Sequence, residues 1–210
     1  MRIGIVGSGP IGANAAKLFA RAGHEVAVSN SRGPETLRDL VAEIGAGARA
    51  ATVEEAARFG QVVLVAIPFG KYRELPAEAF YGKVLIDAGN YYPQRDGQFP
   101  ELDAGETTSS ELVSAHLHGA RLVKAFNTIY YEHLATQGKG GLPLAERRAI
   151  FIAGDDSEAK ETVAKLIEEI GFAAVDTGFL HEGGKRQQPG AAVYNRELTA
   201  EQAAAILESI

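Results

Sequence analysis

A short apolar run, Arg2 to Val6, leads at once into Gly7-Ser8-Gly9-Pro10-Ile11-Gly12. Apolar residues at helical spacing then follow, at Ile11, Ala15, Leu18, Phe19 and Ala22. Strand, glycine turn and helix in that order leave few options, because each glycine has its own task. The first allows the tight turn, the second lets the backbone approach a pyrophosphate, and the third lets the helix pack close to the strand. A diphosphate would rest on the free N–H groups and the positive dipole end of that helix. The pattern therefore predicts a dinucleotide site at Gly7, Ser8, Gly9, Pro10, Ile11 and Gly12.

The residues after the second apolar run, Glu25 to Val28, bear on which dinucleotide. Selectivity for NAD usually rests on an acid about 20 residues beyond the glycines, where it holds the ribose hydroxyls. Here the segment reads Ser29-Asn30-Ser31-Arg32-Gly33-Pro34, with no acid before Glu35. A carboxylate would repel a 2'-phosphate, whereas a guanidinium beside hydroxyl and amide donors would bind it through charge-assisted hydrogen bonds. NADP(H) is expected, on Asn30, Ser31 and Arg32.

Composition narrows the class. The chain has 210 residues with 46% hydrophobic, enough for one substantial core. A net charge of −6 without a basic cluster argues against a nucleic-acid partner. With no cysteine there is no disulfide, thiolate metal site or cysteine nucleophile. The N-terminal apolar run is too short for a signal peptide, and no stretch approaches the roughly 18 apolar residues of a membrane span. A cytoplasmic protein without a membrane partner is the expectation.

Strands and helices alternate along most of the chain. Leu37, Leu40, Val41 and Ile44 form one helical face closed by Gly45 to Gly47. Thr52 with Glu55, and Thr108 with Glu111, have the spacing of capping boxes. Gln61 to Ile67, Lys83 to Asp87, Arg121 to Ala125, Ala149 to Ala153 and Ala173 to Val175 read as strands, and Ser157 to Ile170 as an amphipathic helix. Parallel strands need crossover connections, so this alternation predicts an α/β, Rossmann-type doubly wound, mostly parallel sheet with helices on both faces. Residues 1–180 read as the NADP-binding Rossmann-type domain. Residues 181–210 read as a C-terminal polar loop and short helix of the same domain, because Gly183, Gly184, Pro189 and Gly190 are poor helix formers.

Ligands in such folds bind outside the carboxyl ends of the strands. The residues just past each strand are therefore candidates: Ala66, Ile67 and Pro68 before Phe69, then Ala88, Gly89 and Asn90 after Asp87, for the cofactor. Tyr91, before Tyr92, and Asn127, between Phe126 and Thr128, are candidates for the second substrate. Asp155-Asp156 reads as helix capping, not a metal site. His116 and His118 point to different faces, Gly138-Lys139-Gly140-Gly141 lacks the phosphate-loop pattern, and Tyr130, Tyr131 and His133 fit packing as well as a substrate.

Taken in order, Ile3 to Gly12, Ser31-Arg32, Ala66-Ile67-Pro68, Val123-Lys124-Ala125-Phe126-Asn127-Thr128, Ala153-Gly154-Asp155-Asp156 and Asp176-Thr177-Gly178-Phe179-Leu180 resemble the NADP oxidoreductases that use the deazaflavin coenzyme F420. The resemblance implies hydride transfer between NADPH and coenzyme F420 as second substrate, the two rings face to face, with a homodimer among the expected assemblies. Two departures stand out: Asn127 occupies a position that often carries His in that family, and the polar, glycine-rich 181–190 stretch replaces an apolar helix. Direct hydride passage between rings requires no protein acid or base, so no catalytic residue is singled out. A flavin, quinone or imine acceptor, or a non-catalytic NADP(H)-binding redox sensor, remain the alternatives.

Overall fold

The computed structural model describes residues 1–45 and 47–209. Eight strands, β1 (Arg2–Val6), β2 (Glu25–Ser29), β3 (Ala48–Ala50), β4 (Val62–Val65), β5 (Val84–Asp87), β6 (Arg121–Ala125), β7 (Ala149–Ala153) and β8 (Ala173–Asp176), form one sheet. Its order is β3-β2-β1-β4-β5-β6-β7-β8. The first six strands pair in parallel. This is the doubly wound arrangement that the alternation predicts, and its strand order reverses between β1 and β4, opening a crevice at their carboxyl ends. β7 then runs antiparallel to β6, and β8 parallel to β7. That reversal is not visible in the alternation of apolar runs, because a buried strand has the same composition in either direction.

Around the sheet lie α1 (Pro10–Arg21), α2 (Arg38–Ile44), α3 (Val53–Phe59), α4 (Pro93–Asp96), α5 (Pro100–Asp103), α6 (Ser109–His116), α7 (Tyr131–Thr136), α8 (Ser157–Glu169), α9 (Leu180–Gln187) and α10 (Ala200–Leu207). On one face Ile3, Ile5, Val26 and Val28 pack with Phe19, Phe126, Val163 and Ile167. On the other, Val63, Val65, Leu85 and Leu122 pack with Phe69, Tyr72, Phe80 and Val113. Both capping boxes are formed, Thr52 with Glu55 and Thr108 with Glu111. Asp156 caps α8 by accepting from the Ala159 N–H at 2.9 Å. The glycine stop after α2 has left-handed φ at Gly45 (93°) and Gly47 (91°), while residue 46 lies outside the described residues. Among the described residues no helix is long and apolar enough to cross a membrane.

The polar loop expected from residue 181 is a correction: residues 180–187 form α9. Glycine inside a helix costs about 1 kcal/mol relative to alanine. Here close packing makes it necessary, since a Cβ on Gly183 would lie 2.7 Å from Thr177 Oγ1 and 2.8 Å from the Ala153 Cβ. The helix is fastened at both ends. Asp155 Oδ1 accepts from the Leu180 N–H at 2.9 Å, and Gln187 Nε2 donates to Thr177 Oγ1 at 3.0 Å. Propensity is thus overridden by docking, and α9 ends just before Gln188-Pro189, where a proline disfavours helix in the residue before it.

Candidate functional site

The glycine turn bridges β1 and α1. Gly7 has φ of 107°, and a Cβ there would come within 2.3 Å of the Ala66 carbonyl oxygen. At Gly12 a Cβ would sit 1.9 Å from the Gly7 carbonyl oxygen, so the helix can lie this close only without a side chain. Gly9 differs: the space where its Cβ would stand is open, with nothing within 4 Å. Gly9 is also the N-cap of α1, which has proline at its start, no side-chain cap and no acid in its first turn. The positive end of a 12-residue helix therefore faces open space unopposed.

That space is a cleft of about 630 Å³ lined by Gly7, Ser8, Gly9, Asn30, Ser31, Arg32, Ala66, Ile67 and Pro68. Residues predicted from three separate stretches of sequence thus share one wall. Asn30 links two of those stretches. Its Nδ2 donates to Ser8 Oγ (3.3 Å) and Thr36 Oγ1 (2.9 Å), while its Oδ1 accepts from the Arg32 N–H (2.9 Å). The Arg32 guanidinium is left exposed at the cleft mouth.

The remaining cleft residues, Val6, Val53, Lys71, Glu74, Leu75 and Pro76, are not among the sequence candidates. Lys71 and Glu74 belong to a 3-10 turn, Phe69–Glu74, that follows β4 and lines the cleft, and the two form an ion pair at 2.7 Å. Their signal was their place a few residues beyond Pro68.

Pro10, Ile11, Gly12, Ala88, Gly89, Asn90, Tyr91 and Asn127 lie outside this wall. Pro10, Ile11 and Gly12 are the first turn of α1. The others gather at the ends of β5 and β6. Asn90 and Asn127 bond reciprocally: Asn90 Nδ2 donates to the Asn127 carbonyl (2.8 Å) and Asn127 Nδ2 to Asn90 Oδ1 (3.1 Å). Asn127 Nδ2 also donates to the Gln187 carbonyl at 2.8 Å. The turn into Asn127 runs through Phe126, a buried aromatic with φ of 65°, an uncommon conformation for such a residue. Asn127 is 4% exposed and its Oδ1 is buried without a partner. Tyr91 places its ring edge-on to Phe69 and Phe99, while its hydroxyl donates to Asp103 and accepts from the Phe99 N–H.

Two features here escaped sequence reading. Tyr194, from the turn after α9, bonds through its hydroxyl to Tyr92 and accepts from Asn90 Nδ2, and burial pushes its phenol above the ordinary range. Beneath the turn, Lys124 Nζ is buried and donates to Ser110 Oγ at 2.8 Å and to the Gly89 carbonyl at 3.1 Å. Burial pushes its pKa down, against the pull of Asp87.

The Gly-Asp-Asp and Asp-Thr-Gly-Phe-Leu segments do not join this site. β7 is antiparallel to β6, so the chain after it emerges beside the start of β6, where Asp156 pairs with Arg121. Their Asp155–Leu180 bond sets the start of α9.

Known proteins share this arrangement. Residues 2–91 match the family described as NADP oxidoreductase, coenzyme F420-dependent. The chain is 32% identical to the hypothetical protein SMa0349 of Sinorhizobium meliloti, whose crystal structure covers 95% of each chain with a TM-score of 0.81. A crystal structure from Arthrobacter sp. FB24, described as a candidate F420-dependent NADP-reductase, shows the same fold with a TM-score of 0.75. It is 24% identical and covers 95% of this chain and 99% of that one. Metalloreductase STEAP3 of Rattus norvegicus is 29% identical over 85% of this chain, and the chain spans 34% of that relative's length.

Proposed function

We propose, from the match of residues 2–91 to the family described as NADP oxidoreductase, coenzyme F420-dependent, that this chain binds NADP(H) in the cleft at Gly9 and reduces a deazaflavin-type ring. The observation that carries the reading is the open space at Gly9. It is bounded by the uncapped end of α1 on one side and by Arg32 on the other. A dinucleotide carrying a 2'-phosphate has its charges at those two places, and the glycine, helix end and guanidinium are the groups that would hold them. The small residues Ala88 and Gly89, with Asn90, would flank the nicotinamide.

Bound NADPH supplies the hydride. The chain's own part is to hold the two rings at near-attack distance, roughly 3 to 3.5 Å, and to keep water away from them. Pro68 at the cleft and Tyr91 and Asn127 at the ends of β5 and β6 would frame the acceptor ring.

The test is to incubate the protein with NADPH and a panel of deazaflavin, flavin, quinone and imine acceptors while following absorbance. Deuterium on the transferring face of NADPH should appear in the reduced deazaflavin. Oxidation of NADPH by none of the panel would overturn the enzymatic reading in favour of a non-catalytic NADP(H)-binding protein. Turnover with another acceptor alone would replace the deazaflavin.

A further inference from the structure

We propose that Lys124 is a positioning residue for the ring end of the bound nucleotide, acting from beneath the Ala88–Asn90 turn through the peptide of Gly89. The inference rests on the reading that the nicotinamide lies at that turn.

Lysine is almost never fully buried, yet the Lys124 side chain is 1% exposed. A well-packed apolar side chain of similar volume is commonly no less stable at such a place, so stability alone gives little reason for an ammonium there. Its contacts suggest another. Lys124 Nζ donates to the Gly89 carbonyl at 3.1 Å. It also donates to Ser110 Oγ at 2.8 Å, which in turn donates to Asp87 Oδ2 at 2.7 Å. The other oxygen of Asp87 accepts from the Gly89 N–H at 2.9 Å, and Asp87 and Lys124 stand 4.0 Å apart. Both polar main-chain atoms of Gly89 are therefore held by buried charged groups, one on β5 and one on β6.

Gly89 can accept this clamp because a Cβ there would stand 2.9 Å from Asp87 Oδ1. The next residue, Asn90, is locked to Asn127 by their reciprocal amide bonds. Lys124 thus fixes a rigid chain of contacts, from Gly89 to Asn90 to Asn127, whose last member leaves an unpaired acceptor. Ser110 brings α6 into the same clamp.

The experiment compares two ligands on the whole protein: NADPH, which reaches the turn, and adenosine 2',5'-bisphosphate, which carries the 2'-phosphate but lacks the nicotinamide half. Lys124→Met should weaken NADPH by at least about tenfold and leave the bisphosphate within about twofold of wild type, as read by titration calorimetry. Lys124→Met leaves Asp87 buried without its partner and can fail to fold. Ser110→Ala keeps both charges, and is expected to weaken NADPH selectively by a smaller factor. Unchanged NADPH affinity in the soluble variants, or equal loss for both ligands, would overturn the proposal and leave Lys124 a purely structural residue. If wild type bound neither ligand, the nucleotide reading itself would fall and this inference with it; binding of the bisphosphate by wild type keeps the two failures apart.

Discussion

The side-chain amide of Asn127 donates to the main-chain carbonyl of Gln187 at 2.8 Å, tying the end of β6 to the end of a helix 60 residues further along the chain. The same amide holds Asn90. One buried side chain therefore joins the candidate ring site to the C-terminal segment.

Asn127→Ala leaves the Gln187 carbonyl and Asn90 Oδ1 without that donor, and an unpaired buried polar group costs about 1–3 kcal/mol. The variant should lose acceptor use, measured as kcat/KM, more than it loses NADPH affinity, measured as Kd. A larger effect on NADPH than on the acceptor would place Asn127 with the cofactor instead.

Arg32→Ala addresses cofactor choice. A charge-assisted hydrogen bond to the 2'-phosphate is worth about 1.5–3 kcal/mol, so wild type should prefer NADPH over NADH by at least about tenfold. The substitution should remove most of that preference and leave NADH affinity nearly unchanged. Equal affinities in wild type would show that Arg32 does not contact a 2'-phosphate.

Gly9→Val places a side chain in the open space above α1, where nothing beyond the chain neighbours of Gly9 lies within 4 Å of the new Cβ. The fold should persist, by circular dichroism and thermal midpoint, while binding of NADPH and NADH is abolished together. A variant that still binds NADPH normally would reduce the turn to a structural element.

Gly183→Ala tests the docking of α9. In an exposed helix the change would stabilise by about 1 kcal/mol. Here the added methyl meets Thr177 and Ala153, and overpacking of this kind costs about 1–3 kcal/mol. The urea midpoint should fall; a rise would mean that α9 packs less closely than described.

Asp156 makes a pH prediction. Hydrogen bonds from Arg121 and from the Ala159 N–H hold its carboxyl down to about 2, below the roughly 3.9 of an unfolded aspartate. A group depressed in the folded state contributes stability that is complete above its unfolded value and disappears as pH falls through its folded value. The advantage of wild type over Asp156→Asn in urea unfolding should therefore be full at pH 6, decline below about pH 5 and be gone only below about pH 2. A difference independent of pH would remove the ion pair with Arg121 as its cause.

Local chemistry made much of this molecule legible in advance. The glycine turn, both capping boxes and the capping role of Asp156 follow from residue spacing, because each is settled by neighbours within one turn, and the parallel strands up to Ala125 follow from their alternation with helices, because parallel neighbours need crossover connections. Tertiary structure alone decided the rest. The reversal of β7, the helix through Gly183 and Gly184, the reach of Lys71 into the cleft and the burial of Lys124 beneath Gly89 all depend on partners distant in sequence. Glycine in α9 reads as a helix breaker until Thr177 and Ala153 are found against it, and Lys124 reads as an ordinary strand residue until Asp87 and Ser110 close around its amine. Spacing records what a residue can do with its neighbours along the chain; which groups it meets across the core is set by packing, and packing exists only once the sheet is assembled.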